Sequence, residues 1–187
     1  MKNEKVVPKA RRTSVTDWYV FIVKMIRKWF TRSGTVYNGF IRALLQDDVK
    51  SMNAYMNRVA LATFSYFDSG KNPSMESQPE RFYHGFVLGL TVELADRYII
   101  TSNRESGFGR YDVMMEPKNK TDNAIIIEFK VRDSKEEAAL LDTAEAALKQ
   151  IEEQQYKVTL KNRGIPGDRI RTYGFAFEGK KVLIKSQ

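Results

Sequence analysis

The residues best suited to chemistry lie in two short runs: Gly109-Arg110-Tyr111-Asp112 and, after fifteen intervening residues, Glu128-Phe129-Lys130. Strand residues two apart face the same side, so Glu128 and Lys130 project together. A hairpin turning at Lys120, the middle of the loop PKNKTDN, sets Asp112 across from Glu128, with Cβ atoms about 4.5–5.5 Å apart. Two carboxylates that close repel one another unless a cation lies between them. A hard divalent ion, Mg2+ or Mn2+, meets that need with oxygen ligands and retained waters, and the backbone carbonyl of Phe129 would complete its shell. Lys130 beside the ion could orient or deprotonate an attacking water, or hold charge on a phosphoryl oxygen. The corresponding chemistry is in-line hydrolysis of a phosphodiester. The plainer alternative is a surface ion pair between Glu128 and Lys130. Against it, Glu128 follows Ile125-Ile126-Ile127 in a strand that reads as buried, where an acid is costly unless paired or metal-bound.

These side chains need a scaffold, and the pattern of the chain changes at residue 97. Before it, apolar residues recur at helical spacing. Helix 18–30 carries Trp18, Phe21, Ile22, Met25, Ile26 and Trp29 on one side and Lys24, Arg27 and Lys28 on the other. Further helices are predicted over 36–45, 48–66 and 80–96, the last apolar nearly all round and so expected to be buried. The loop DSGKNPSMESQP (68–79) contains Gly70-Lys71 but lacks the other residues of a phosphate loop. After residue 97, strands are predicted over 97–103, 110–116, 124–131, 169–177 and 181–185. Ser134 and Glu137 read as a capping box that opens a long helix reaching about Asn162, with Gly164 as its stop. The expectation is an α/β fold, a mixed central sheet of about five strands flanked by helices with an N-terminal helical extension. It divides into a disordered basic arm (1–16), a helical region (17–78) and a core (79–187).

Composition narrows the function further. The chain has 187 residues, one histidine and no cysteine, which excludes thiolate and multi-histidine metal sites and suits a reducing compartment such as the cytoplasm. The apolar run 18–30 is too short and too charged to span a bilayer. The net charge of +8 is concentrated: residues 1–35 hold nine Lys/Arg against two acids, and the remainder 22 against 21. That asymmetry suits a polyanionic partner, nucleic acid or an acidic membrane surface, and equally a solvated tail. The apolar side of helix 18–30 suits a core face or a dimer contact.

A resemblance adds to this reading. Phe82-Tyr83-His84-Gly85, Ser102-Asn103-Arg104-Glu105-Ser106-Gly107, Gly109-Arg110-Tyr111-Asp112, Ile126-Ile127-Glu128-Phe129-Lys130, Gln150-Ile151 and Tyr173-Gly174-Phe175-Ala176-Phe177 resemble the PD-(D/E)xK nuclease superfamily. The narrower likeness, over about residues 36–185, is to the branch usually found C-terminal to an AAA-ATPase-like domain. The resemblance implies a restriction-endonuclease-like core and magnesium-dependent phosphodiester cleavage, in DNA rather than RNA. It implies Asp112 and Glu128 as metal-binding acids, Lys130 as catalytic lysine, His84 as an extra metal ligand and Gln150 as a residue contacting site or substrate. Tyr156 stands six residues after Gln150, where helicase-nuclease relatives have a spacing of four. Arg104, Arg110 and Lys118 are candidates to face the phosphates, and Glu105 reads as a turn residue paired to Arg104 or Arg110. These 187 residues include no Walker A lysine, so nucleotide hydrolysis would come from an AAA-ATPase-like domain or protein. The alternative function is a catalytically inactive, nuclease-derived module that docks to DNA or to such an ATPase; a third reading is a membrane-surface protein held by helix 18–30.

Overall fold

A computed structural model describes residues 39–63 and 78–187. The basic arm, the helix expected over 18–30 and the loop expected over 68–79 as far as residue 77 lie outside them. Gln78 and Pro79 already belong to a helix.

Two helices open the described chain, α1 (Gly39–Gln46) and α2 (Val49–Thr63). The Asp47-Asp48 pair separates them. Asp47 adopts a left-handed conformation (φ 57°), and the Asp48 carboxylate accepts the Ser51 N–H at 2.9 Å, capping α2. The third helix, α3 (Gln78–Thr91), ends in a single 3-10 turn, Val92–Leu94, instead of running on to Asp96. Tyr83, Phe86, Val87 and Leu90 are buried while Val92 and Glu93 face water. The segment expected to be buried all round therefore has a solvent side.

From Tyr98 the chain builds a five-stranded sheet in the order β1 (Tyr98–Ser106), β2 (Gly109–Pro117), β3 (Ala124–Val131), β4 (Ile170–Glu178), β5 (Lys181–Ser186). Neighbours are antiparallel except β3 and β4, which are parallel. A parallel pair needs a crossover, and α4 (Leu140–Glu153) with α5 (Lys157–Asn162) provides it. β1 runs three residues beyond its expected end and meets β2 through the two-residue turn Gly107-Phe108. Gly107 at φ 62° supplies the positive angle that a type II′ turn requires, so Glu105 lies in a strand opposite Arg110, not in the turn.

Helices cover both faces of the sheet. On one, Phe40, Ile41, Leu44, Met52 and Met56 join Phe86 and Leu90 against Val113, Ile127, Phe129, Phe175 and Phe177. On the other, Leu148, Ile151, Tyr156 and Leu160 pack on Tyr111, Met114 and Ile126. The outer edge of β5 is sealed by α2. Asn53 exchanges two hydrogen bonds with the Ile184 backbone, at 2.9 and 2.8 Å, and Asn57 does the same with Val182 at 2.7 and 3.0 Å. Asparagines four apart on a helix thereby match strand residues two apart, imitating a sixth strand.

The crossover departs from expectation twice. Ser134 does not open the helix: Glu137 instead closes a turn on Asp133, accepting its N–H at 3.1 Å and the Thr143 hydroxyl at 2.6 Å. Arg132 holds the same segment through the carbonyls of Glu137 and Ala138, so α4 starts only at Leu140, where Asp142 accepts the Ala139 N–H. The helix also breaks before Asn162. Gln155, at φ 54°, makes an elbow between α4 and α5 that turns Tyr156 inward. Gly164 (φ 82°) does follow the last helical turn.

Two substitutions test the packing. Asn53→Ala and Asn57→Ala each remove three hydrogen bonds, two of them to β5, and should each lower unfolding free energy by about 1–3 kcal/mol in urea titrations. Gly174→Ala should cost about as much by overpacking, because a Cβ there would lie 2.3 Å from the Ala144 carbonyl oxygen of α4.

Candidate active site

Asp112 and Glu128 lie just past the last regular pair of β2 and β3. The two strands pair at Val113–Ile127, Met114–Ile126 and Met115–Ile125, the register set by a hairpin centred on Lys120. That register carries Asp112 opposite Glu128 and Tyr111 opposite Phe129, but regular pairing stops one step short of both. The adjoining ladder is irregular at the same level: Ser102 pairs with Val113 and Arg104 with Tyr111, while Asn103, opposite Asp112, is left-handed (φ 52°) and unpaired in the ladder. The Asp112 carboxylate takes the place of the missing strand partner and accepts the Phe129 N–H at 2.8 Å. In an extended residue the N–H and C=O point the same way, so the Phe129 carbonyl also faces the opening beside Asp112.

Glu128 is 3% exposed and points toward α4. Its β4 neighbour is Gly174, whose lack of a side chain lets α4 lie directly on the sheet. The amide nitrogen of Gln150 donates to Glu128 Oε1 and also approaches the Tyr156 hydroxyl at 3.2 Å. Tyr156 in turn donates to the Arg110 carbonyl at 2.8 Å, tying the elbow to the departing end of β2. Lys130 follows Glu128 on the same face and lines a groove of about 580 Å3 with Arg110, Gln150 and Tyr156.

The electrostatics follow from this enclosure. Burial raises the Asp112 carboxyl above the usual aspartate range, while the Phe129 N–H and the Lys130 ammonium draw it back part of the way. Burial also raises the Tyr156 hydroxyl; the Gln150 hydrogen bond lowers it, and the charges of Glu128 and Asp112 raise it further. Tyr156 therefore remains a neutral donor and acceptor at physiological pH.

Of the residues singled out in the sequence, the structure gathers Asp112, Glu128, Lys130, Gln150 and the Phe129 backbone. Arg104 on β1 and Arg110 on β2 are exposed near the turn that joins those strands. Lys118 is elsewhere: six residues from Asp112 along β2, about 20 Å, it donates to the Ala95 carbonyl at 2.8 Å. His84 Nε2 lies 2.8 Å from Ser102 Oγ, and its ring lies 5.5 Å from that of Phe129, the residue whose N–H Asp112 accepts. Tyr156 is the member that sequence spacing obscured. In a continuous helix a residue four after Gln150 shares its face; the elbow returns the sixth to the same place.

The donors suit a hard cation. Two carboxylates and a backbone carbonyl are oxygen ligands of the kind Mg2+ and Mn2+ take. Among the described residues no group of three or more His, Cys, Asp or Glu side chains that could hold a metal ion is found.

Among the described residues no helix is long and apolar enough to cross a membrane. Comparison with curated proteins and with solved structures returns no match. Comparison with protein families matches residues 78–187, more than half of the chain, and that span contains the sheet, α4 and every residue of the acid cluster. The chain belongs to the PD-(D/E)XK nuclease superfamily.

Proposed function

We propose that the protein is a divalent-metal-dependent nuclease that hydrolyses phosphodiester bonds in DNA. The observation that carries this reading is the Asp112 carboxylate on the Phe129 N–H, beside buried Glu128 and with Lys130 on the same face. Asp112, Glu128 and the Phe129 carbonyl would hold the cation. When bound, the ion supplies positive charge to a phosphoryl oxygen and makes a coordinated water more acidic. Lys130 stands at the groove, where its ammonium can hold an attacking water or balance charge on the phosphate. Gln150 orients Glu128 through Oε1, and Tyr156 fixes Gln150 while anchoring β2 through Arg110. Arg104 and Arg110 are exposed beside the groove and suited to phosphate contacts. The partner that goes with this reading is an AAA-ATPase-like domain or protein, and the setting is the cytoplasm.

Purified protein should degrade or nick DNA only with Mg2+ or Mn2+. Glu128→Gln and Lys130→Ala should each lower the rate about a hundredfold or more without loss of the folded state by circular dichroism. Equal activity in wild type and both variants would refute the assignment. Complete inactivity of the wild type with bound DNA would leave a docking module.

The raised Asp112 carboxyl gives a separate test. Because the folded protein holds that proton more tightly than the unfolded chain, stability falls as pH rises through the window between the ordinary aspartate value and the raised one. Asp112→Asn keeps an acceptor for Phe129 but no charge. Without metal it should melt above wild type at neutral pH, with the gap closing as pH falls through that window. Millimolar Mg2+ or Mn2+ should raise the melting temperature of wild type and not of the variant.

A further inference from the structure

Phe108 is 76% exposed at the second position of the β1–β2 turn. A type II′ turn asks for glycine first and commonly takes Asn, Asp or Ser second, so neither the turn nor the core calls for a phenyl ring there. Yet the ring stands on a rigid base. The Phe108 N–H donates to the Gln154 carbonyl at 2.8 Å, and the Ser106 hydroxyl donates to the Tyr156 carbonyl at 2.7 Å. The turn sits so closely on the α4–α5 elbow that a Cβ on Gly107 would fall 2.1 Å from the Gln154 oxygen.

Two cationic side chains stand beside the turn, with Glu105 opposite Arg110 in the ladder. Arg104 and Arg110 flank the turn, both exposed and neither in an ion pair among the described residues. Gly109 and Arg110 form the near lip of the groove that leads to Lys130 and Gln150. Phe108 precedes Asp112 by four strand residues, about 13 Å, so a strand threaded along the groove would pass the ring a few nucleotides from the acids.

We propose that Phe108 is a base-stacking platform, and that the protein therefore acts on single strands or unpaired ends. The inference rests on the nuclease reading. Within a duplex each base is covered on both faces by its neighbours; an unpaired base offers its ring, and stacking on an aromatic side chain tolerates any sequence. The flanking arginines would neutralise phosphates on either side of the stacked nucleotide without reading bases.

The test is fluorescence anisotropy with labelled single-stranded oligonucleotides and the matching blunt duplex, in a Glu128→Gln background that keeps the probe intact. Phe108→Ala should weaken single-strand binding about tenfold or more, change duplex binding by less than about twofold, and leave the melting temperature unaltered; Phe108→Trp should restore binding. Unchanged single-strand affinity, or an equal loss on both probes, overturns the proposal. Cleavage by otherwise wild-type protein separates the two readings. Cutting with an indifferent Phe108 leaves the nuclease assignment standing alone. Selective single-strand binding through Phe108 with no cutting removes the nuclease assignment and keeps the platform.

Discussion

The site depends on one substitution in a β ladder: a side-chain carboxylate stands where a main-chain carbonyl would be. In the register of β2 and β3, the Phe129 N–H would find the Tyr111 carbonyl opposite it. Asp112 accepts that N–H instead, at 2.8 Å. The buried amide is satisfied, as nearly all must be, yet the strands are free to diverge. The ladder ends at Val113–Ile127, just short of Asp112 and Glu128, and the Phe129 carbonyl points to the same side as its N–H. The arrangement charges the fold for its function, since the carboxyl sits in surroundings that disfavour its ionised form.

Glu128 depends on the opposite layer. Gly174 lets α4 lie on β4 at backbone distance, and only at that depth does the Gln150 amide reach Glu128. The elbow then sends Tyr156 back under Gln150 and onto the Arg110 carbonyl. One chain of hydrogen bonds thus runs from β3 through α4 and the elbow to the end of β2, and the opening between the strands is framed on both sides.

Much of this was legible in the sequence because it follows from short-range rules. The midpoint of PKNKTDN gave the pairing of Val113 with Ile127, Met114 with Ile126 and Met115 with Ile125, since hairpin register is fixed by its turn. Alternation placed Glu128 and Lys130 together. What was hidden involves backbone torsions that no residue type announces: the left-handed conformations of Asn103 and Gln155 occur at residues other than glycine. The first accompanies the break in pairing beside Asp112, and the second makes a spacing of six do the work of four. Glu137 was recognised as a capping residue, but its partner is Asp133, because Arg132 gathers the neighbouring carbonyls and delays the helix. Residue type made Lys118 a candidate, and its place beyond the far end of β2, on the Ala95 carbonyl, sets it apart from Asp112.

The asparagine-sealed margin of β5 bears on what constitutes a folding unit. The family likeness begins at residue 78, yet α1 and α2 fill the hydrophobic layer over β4 and β5 and occupy the hydrogen-bonding groups of the last strand. A fragment cut at the family boundary would carry all the candidate catalytic groups and a naked strand, the template for chain-to-chain polymerisation. The helices upstream thus close the open margin of the sheet that bears the chemistry.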